Sequence, residues 1–346
     1  MTGGAFESWD AEGGYRAGLK MAIPLKAGLD PDIAVDGSLA ATVLGNEGLG
    51  LRFDDLNGDM RYRSAEGLTA RQLKGKLWGS QLEAEIGPGN TTPGGSTPLL
   101  IQAEGEVAVS SLHDWLNYPA FGLAEGQALV EATMAIVPAG DDSAHSNLRL
   151  YSDLVGVRMP LPEPFGKEAG QARTAVLNID LAEVGQGQVR YAGVAAGNFD
   201  LATGTGGEPR AGIWLGGITM PDLPTSGIVV GGELASVKLY QWLDTLQQFN
   251  TFAGDAATAP TADLRVANLD IEQLEAFGEA VARPTIDIAV VDEQWQVAVQ
   301  HPRIQGTIGL PADGSPFAIN LAHLHMPLSG DDSDPGGEGE GLVSLD

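Results

Sequence analysis

Five histidines and several closely spaced acids are the residues with which this chain could do chemistry. His323 and His325, in LHLH, lie two apart, so on a strand both face one way and could pinch a metal ion. Spacing offers them no third ligand. His113, His145 and His301 are scattered beside turns or Pro302, where a solvated histidine is the ordinary case. Asp55, Asn57 and Asp59 imitate the opening of a calcium loop, but Met60 stands where its glycine belongs. Asn57-Gly58 reads better as a hairpin turn. Asp331, Asp332 and Asp334 fall in a solvated acidic tail. The glycine runs at Gly45–Gly50 and Gly204–Gly207 lack phosphate-binding spacing, and neither G-x-S-x-G nor H-E-x-x-H occurs. With no cysteine, thiolate chemistry and disulfides are excluded. The expectation is no catalytic residue, no metal and no cofactor.

What dominates is a pattern of period two. Tyr15, Ala17, Leu19, Met21, Ile23 and Leu25 alternate without a break, and so do shorter runs almost everywhere. The positions that carry it are Leu19, Met21, Ile23, Ile33, Val35, Leu51, Phe53, Leu82, Ile86, Met134, Ile136, Leu177, Ile179, Ile286, Ile288, Val290, Trp295, Val297, Val299, Ile319 and Leu321. Alternation of this kind gives a sheet one apolar face, and the intervening Asp, Ser, Thr, Gln and Arg residues suit solvent better than a second packed layer. Helical spacing is scarce, at Ser111–Tyr118, Lys238–Phe252 and Ile271–Phe277.

Composition agrees. The chain has 346 residues, 43% of them hydrophobic but only 6% aromatic, and 48 glycines, which favours many short strands joined by glycine turns. A net charge of −27 repels phosphate, so nucleic acid is excluded as a partner and an anionic membrane surface is unattractive. The start, MTGGAFESWDAEGG, has neither the basic nor the apolar region of a signal peptide, and no stretch approaches the ~20 apolar residues of a membrane helix.

Turn residues suggest three segments. GPGNTTPGGSTP, Gly87–Pro98, reads as a flexible loop and the best internal boundary, giving units at 1–98 and 99–329; GDDSDPGGEGEG opens an acidic Gly-rich tail or truncated linker at 330–346. The second unit holds a repeat. GEVAVSSLHDWL, Gly105–Leu116, and GELASVKLYQWL, Gly232–Leu243, match at six of twelve positions, each a short strand running into a helix closed by Trp-Leu. Trp115 and Trp242 are the expected packing anchors of two successive modules.

One stretch is more specific. DLVGVRMPLPEPFGKEAGQA, Asp153–Ala172, resembles a signature of the AsmA-like YhdP family of Gram-negative bacteria. Asp153, Leu154, Gly156, Leu161, Pro162, Pro164, Phe165, Gly166, Lys167, Ala169 and Arg173 fit it. Asp55–Glu85, Gly232–Leu243 and Ile304–Pro327 are similar to further family segments, in the family's order. The resemblance covers most of residues 1–328, without the family's N-terminal membrane helix, as an internal fragment would.

The resemblance implies a mostly β fold: an elongated, curled antiparallel sheet, a U-shaped trough of repeating β-groove modules with a few short helices. It also implies a periplasmic lipid-transfer segment of a bridge-like protein. The alternating positions would line the groove and shield phospholipid acyl chains. The parent would be anchored in the inner membrane through a preceding segment, meet unidentified outer-membrane-side partners, and support phospholipid transport and the outer-membrane permeability barrier. The sequence leaves an alternative open, a structural scaffold or adhesin stalk whose apolar face is packed dry. A carbohydrate-binding reading has less behind it, because six scattered tryptophans give no stacking platform.

Overall fold

A computed structural model describes residues 9–24, 31–46, 50–116, 122–138, 140–141, 143–181, 185–201, 208–242, 244–245, 264–276, 279–291, 294–310, 318–327 and 342–344. The chain forms two compact units. One comprises Met1–Pro160 and Gly166–Ala192; the other comprises Leu161–Phe165 and Gly193–Asp346.

The first unit is a meander. Its strands are β1 (Asp10–Ala22), β2 (Asp32–Asn46), β3 (Leu51–Arg63), β4 (Gly67–Leu77), β5 (Ser80–Pro88) and β6 (Leu99–Ala108). After helix α1 (Val109–Leu116) come β7 (Glu125–Ile136), β8 (Asn147–Ser152), β9 (Val157–Arg158), β10 (Ala175–Asp180) and β11 (Gln186–Tyr191). Each strand from β1 to β8 pairs antiparallel with the next, β8 pairs with β10 and β10 with β11, while short β9 sits on the start of β7. The turn between β4 and β5 is two residues, Trp78 and Gly79, with φ of 50° and 84°. Positive φ at both sites is what the twist of a tight hairpin demands.

The stretch 87–98 does not divide the fold. It joins β5 to β6, which pair with each other, so the compact units part near Ala192 instead. The loop is also tied down. Thr92 and Ser96 donate hydroxyl hydrogen bonds to Asp141, and the Gly94 amide donates to Ser143 Oγ at 2.8 Å. Hydroxyl hydrogen bonds from Ser143, Ser96 and Thr92, in that order, hold the Asp141 carboxyl well below the usual carboxylate range.

Asn57-Gly58 is not a turn but lies inside β3. Three neighbouring strands each carry a left-handed residue at about this level, Ala41, Asp55 and Gln72, where the register shifts. These are β-bulges, and each adds a residue without reversing the chain. Asn57 stitches them together: its Oδ1 accepts from the Ala41 amide at 2.9 Å and its Nδ2 donates to the Asp55 carbonyl at 2.5 Å.

The second unit is a mixed sheet. Its strands are β12 (Ala195–Asp200), β13 (Arg210–Leu215), β14 (Gly227–Lys238), β15 (Leu264–Ala276), β16 (Glu279–Ala282), β17 (Thr285–Val291), β18 (Gln294–His301), β19 (Ile304–Leu310), β20 (Ala318–Pro327) and β21 (Leu342–Ser344). Most neighbours are antiparallel, but β13, β14 and β15 run parallel. The β13–β14 connection returns across the sheet: a Cβ on Gly212 would lie 2.5 Å from the Asp222 carbonyl, and Asn198 Nδ2 donates to Pro221 O at 2.6 Å.

The helix expected at Ile271–Phe277 is strand, the second half of β15. Ile271 and Leu274 are three apart, as in a helical turn, yet they pair in register with Leu234 and Val237 of β14, which are spaced the same way. Matching three-residue steps in two paired strands mimic helical period. The other two helices fall where expected, at α1 and at 239–242 with 244–245. Tyr118, residues 246–252 and the tail at 330–341 lie outside the described residues.

Candidate functional site: an apolar face across ten strands

Alternation along each strand and register between strands together build the site in the first unit. Ala17, Gly37, Met60, Ala70, Ile86, Ile101, Met134, Leu148, Ile179 and Gly187 are partners in turn from β1 to β11. Directly paired residues share a face, so this is one row of ten positions without a charge or a hydrogen-bonding side chain. At ~4.8 Å per strand it runs about 43 Å. A second row, Leu73, Ala84, Ala103, Ala132, Leu150, Leu177 and Val189, lies beside it, and Leu19, Val35, Tyr62 and Leu68 begin a third.

The opposite face is polar by the same register. Glu85, Gln102, Thr133, Arg149, Asn178 and Gln188 form one row there. Lys74, Glu83, Glu104 and Glu131 begin another, with Lys74 bonded to Glu83 at 2.7 Å.

Among the described residues the apolar face has little cover. Ala70 and Leu73 are buried, but Ile86, Ile101, Met134, Leu148 and Ile179 are only half-buried, and Leu19 is 62% exposed. Among the candidates read from sequence, Leu19, Met21, Ile33, Val35, Leu51, Phe53, Leu82, Ile86, Met134, Ile136, Leu177 and Ile179 all share this face; Ile23 lies just past β1 and is exposed. Met60, Tyr62, Leu68, Ile101, Leu148 and Leu150 belong to it and were missed. The alternation in NLRLY was there to be read, and that of Met60 and Tyr62 emerges once the bulge at Asp55 is allowed.

The second unit continues the pattern and hides it. Ile288, Val297, Ile308 and Ile319 form one row, and Ile286, Val299, Gly306 and Leu321 the next. Val297 is 3% exposed, and Ile286, Val299 and Ile308 are also buried, whereas Ile319 and Leu321 at the margin are exposed. Val290 and Trp295 are register partners whose side chains lie outside the described residues. The buried members join one core with Leu234, Ile271, Leu274 and Phe165. Phe165 comes from Leu161–Phe165, a segment outside the strands, and meets Trp242 edge-on at 5.7 Å. In the first unit, Trp115 packs on the turn residue Trp78 at 5.4 Å.

No cluster of three or more His, Asp or Glu residues fit to hold a metal occurs among the described residues. His323 Nε2 lies 3.0 Å from the Pro302 carbonyl, and the side chain of His325 is not described.

A family model described as YhdP protein matches residues 1–340. This chain belongs to the YhdP family. Membership supports a lipid-transport-related role in general, in a family that is non-enzymatic. Neither the curated proteins nor the solved structures gave a match.

The residues that carry the YhdP resemblance are structural. Lys167 is 4% exposed, and its ammonium donates to the Leu154 carbonyl at 2.8 Å and to the Val157 carbonyl. Burial pushes its pKa down. Gly156, with φ of 100°, lets β9 approach β7 so closely that a Cβ there would collide with the Gln127 carbonyl. The Arg173 amide closes the segment on the Asp153 carbonyl at 2.7 Å.

Proposed function

We propose that this YhdP-family chain is a lipid-transfer segment whose first unit shields phospholipid acyl chains along its apolar face. The observation that carries the reading is the uncharged row that runs in register across ten strands and stays half-exposed. A sheet face of that extent, left uncovered, is costly in water and suits an apolar ligand. At ~0.8 kcal/mol per CH₂, a two-chain phospholipid of about 30 methylenes loses on the order of 25 kcal/mol on entering water. A continuous apolar track removes most of that barrier while the headgroup stays hydrated. The contacts are burial and dispersion, which do not read headgroups, so the track is unspecific.

In this reading the segment works in the periplasm, within a parent protein anchored in the inner membrane, and contributes to phospholipid movement between the membranes and to the outer-membrane permeability barrier. A dry scaffold is favoured by one observation only, the buried core around Val297 in the second unit. The test is native mass spectrometry with lipid extraction on the chain purified from a Gram-negative host. More than one phospholipid per chain, lost in Ile101→Asp with folding retained, is the expected result. A folded, monomeric chain free of lipid would favour the scaffold.

A further inference from the structure

β2, β3 and β4 each carry one residue more than a regular ladder can pair, and these extras, Ala41, Asp55 and Gln72, lie at about one level of the sheet. From β5 to β11 the pairings of successive strands run without a shift. A bulge bends its strand, so bulges in line across neighbouring strands make a fold line.

Register and crowding give the bend its direction. Each extra residue falls on the polar side, where Ala40 and Ala41, Asp54 and Asp55, and Arg71 and Gln72 follow one another, while the apolar face resumes at Thr42, Leu56 and Leu73. Ala41, Asp55 and Gln72 are exposed, but Thr42, Leu73 and Gly75 on the apolar side are buried. Space there is tight: a Cβ on Gly58 would lie 2.7 Å from Leu73 Cδ2, and one on Gly75 would lie 2.6 Å from Leu56 Cδ2. The strands therefore fold toward the apolar side. Leu39, Gly58 and Leu73 stand on one side of the line and the register partners Leu44, Phe53 and Leu77 on the other, two apolar panels that meet along it.

A bulged residue leaves the ladder, and its amide needs another acceptor. Asn57 supplies one. Its Oδ1 accepts from the Ala41 amide of β2 while its Nδ2 donates to the Asp55 carbonyl of β3, so one side chain holds the bulges of two strands. The second unit uses the same device at its own bulge, where Asp287 of β17 accepts the amide of left-handed Asn268 in β15 at 3.0 Å.

We propose that Asn57 is a positioning residue for the acyl-chain site: from the polar side, touching no lipid, it holds the bend that turns the two apolar panels toward each other. The inference rests on the lipid reading of the first unit. Without this side chain the Ala41 amide turns to water, the bulges are free to shift, and the panels open.

The chain has no cysteine, so Arg52→Cys with Glu66→Cys places two spin labels near the ends of β3, and double electron-electron resonance reads its bend. Asn57→Ala should lengthen and broaden that distance. Phospholipid retained per chain, counted by native mass spectrometry, should fall at least about threefold, the weight of one ordinary hydrogen bond. Asn57→Asp keeps an acceptor for Ala41 and should fall between; it carries the test if Asn57→Ala does not fold. Asp141→Asn loosens a polar loop of the same unit away from the bulges, and should lower stability without moving the distance or the lipid count.

An unchanged distance in the Asn57 variants would overturn the proposal, as would a lengthened one with lipid fully retained. So would equal lipid loss in Asp141→Asn, which would mean that stability alone governs loading. A parent chain free of lipid would instead overturn the acyl-chain reading, while the spin-label distance still decides whether Asn57 holds the bend.

Discussion

The two units carry the same alternation and use it in opposite ways. Ile86, Ile101 and Met134 in the first unit and Ile288, Val297 and Ile308 in the second occupy equivalent places, successive strands of an apolar row. The first three are half-buried; Val297 and Ile308 are buried in a core that also takes in Phe165. An apolar row is therefore neither core nor binding face by itself. The difference lies in whether something else in the unit, here the segment Leu161–Phe165 and the neighbouring strands, lies over it.

The largest expected effect comes from Val297→Asp, which buries an unpaired charge. It should cost roughly 4 kcal/mol or more, visible as loss of the second unit's cooperative unfolding in a denaturant titration. Alternation alone favours Val297 and Ile288 as sites for lowering lipid loading without unfolding. Burial moves that test to Ile101 and Met134, where the same substitution should abolish lipid co-purification yet cost only about 1 kcal/mol. A Val297→Asp protein as stable as the parent would erase the contrast between the units. Next in size, Phe165→Ala should destabilise by about 3–4 kcal/mol, since it empties a filled core position, with a change in Trp242 fluorescence as the readout. Trp115→Ala removes a partly exposed aromatic pair and should cost about 1 kcal/mol in the same titration.

The pH response sharpens the comparison at a polar site of the first unit. Asp141 is held below its ordinary value of 3.8 by hydroxyl hydrogen bonds from Ser143, Ser96 and Thr92. A carboxylate depressed on folding contributes fully above its unfolded value and loses that contribution as pH falls through its folded one. Hydrogen exchange at Gly94 and Ser143 should therefore stay slow at pH 4 and quicken only in stronger acid. In Asp141→Asn it should be fast throughout.

The repeated strand–helix unit marks how far reading the chain can go. Both copies do what their residues predict: β6 runs into α1, and β14 into the helix at 239–242, because an alternating run passes directly into helical spacing closed by Trp-Leu. Beyond the two helices the chain takes different courses. The 16 residues after β6 return the chain antiparallel as β7, whereas 25 residues separate β14 from β15, enough for a parallel crossover. The predominance of strands, the positions of the apolar faces, the helices after β6 and β14 and the family were all legible, because side-chain period and motif are local properties.

Four things were settled only by distant contacts. Asn57-Gly58 lies within β3, beside the bulge at Asp55, and is not a turn because β2 and β4 hold it from both sides. Ile271–Ala276 is strand because β14 matches its three-residue step. The stretch 87–98 is an ordered connection because Asp141, far along the chain, binds it. Which apolar row stays open and which becomes core was decided by what lies over it, and period two specifies a face but never the surface that covers it.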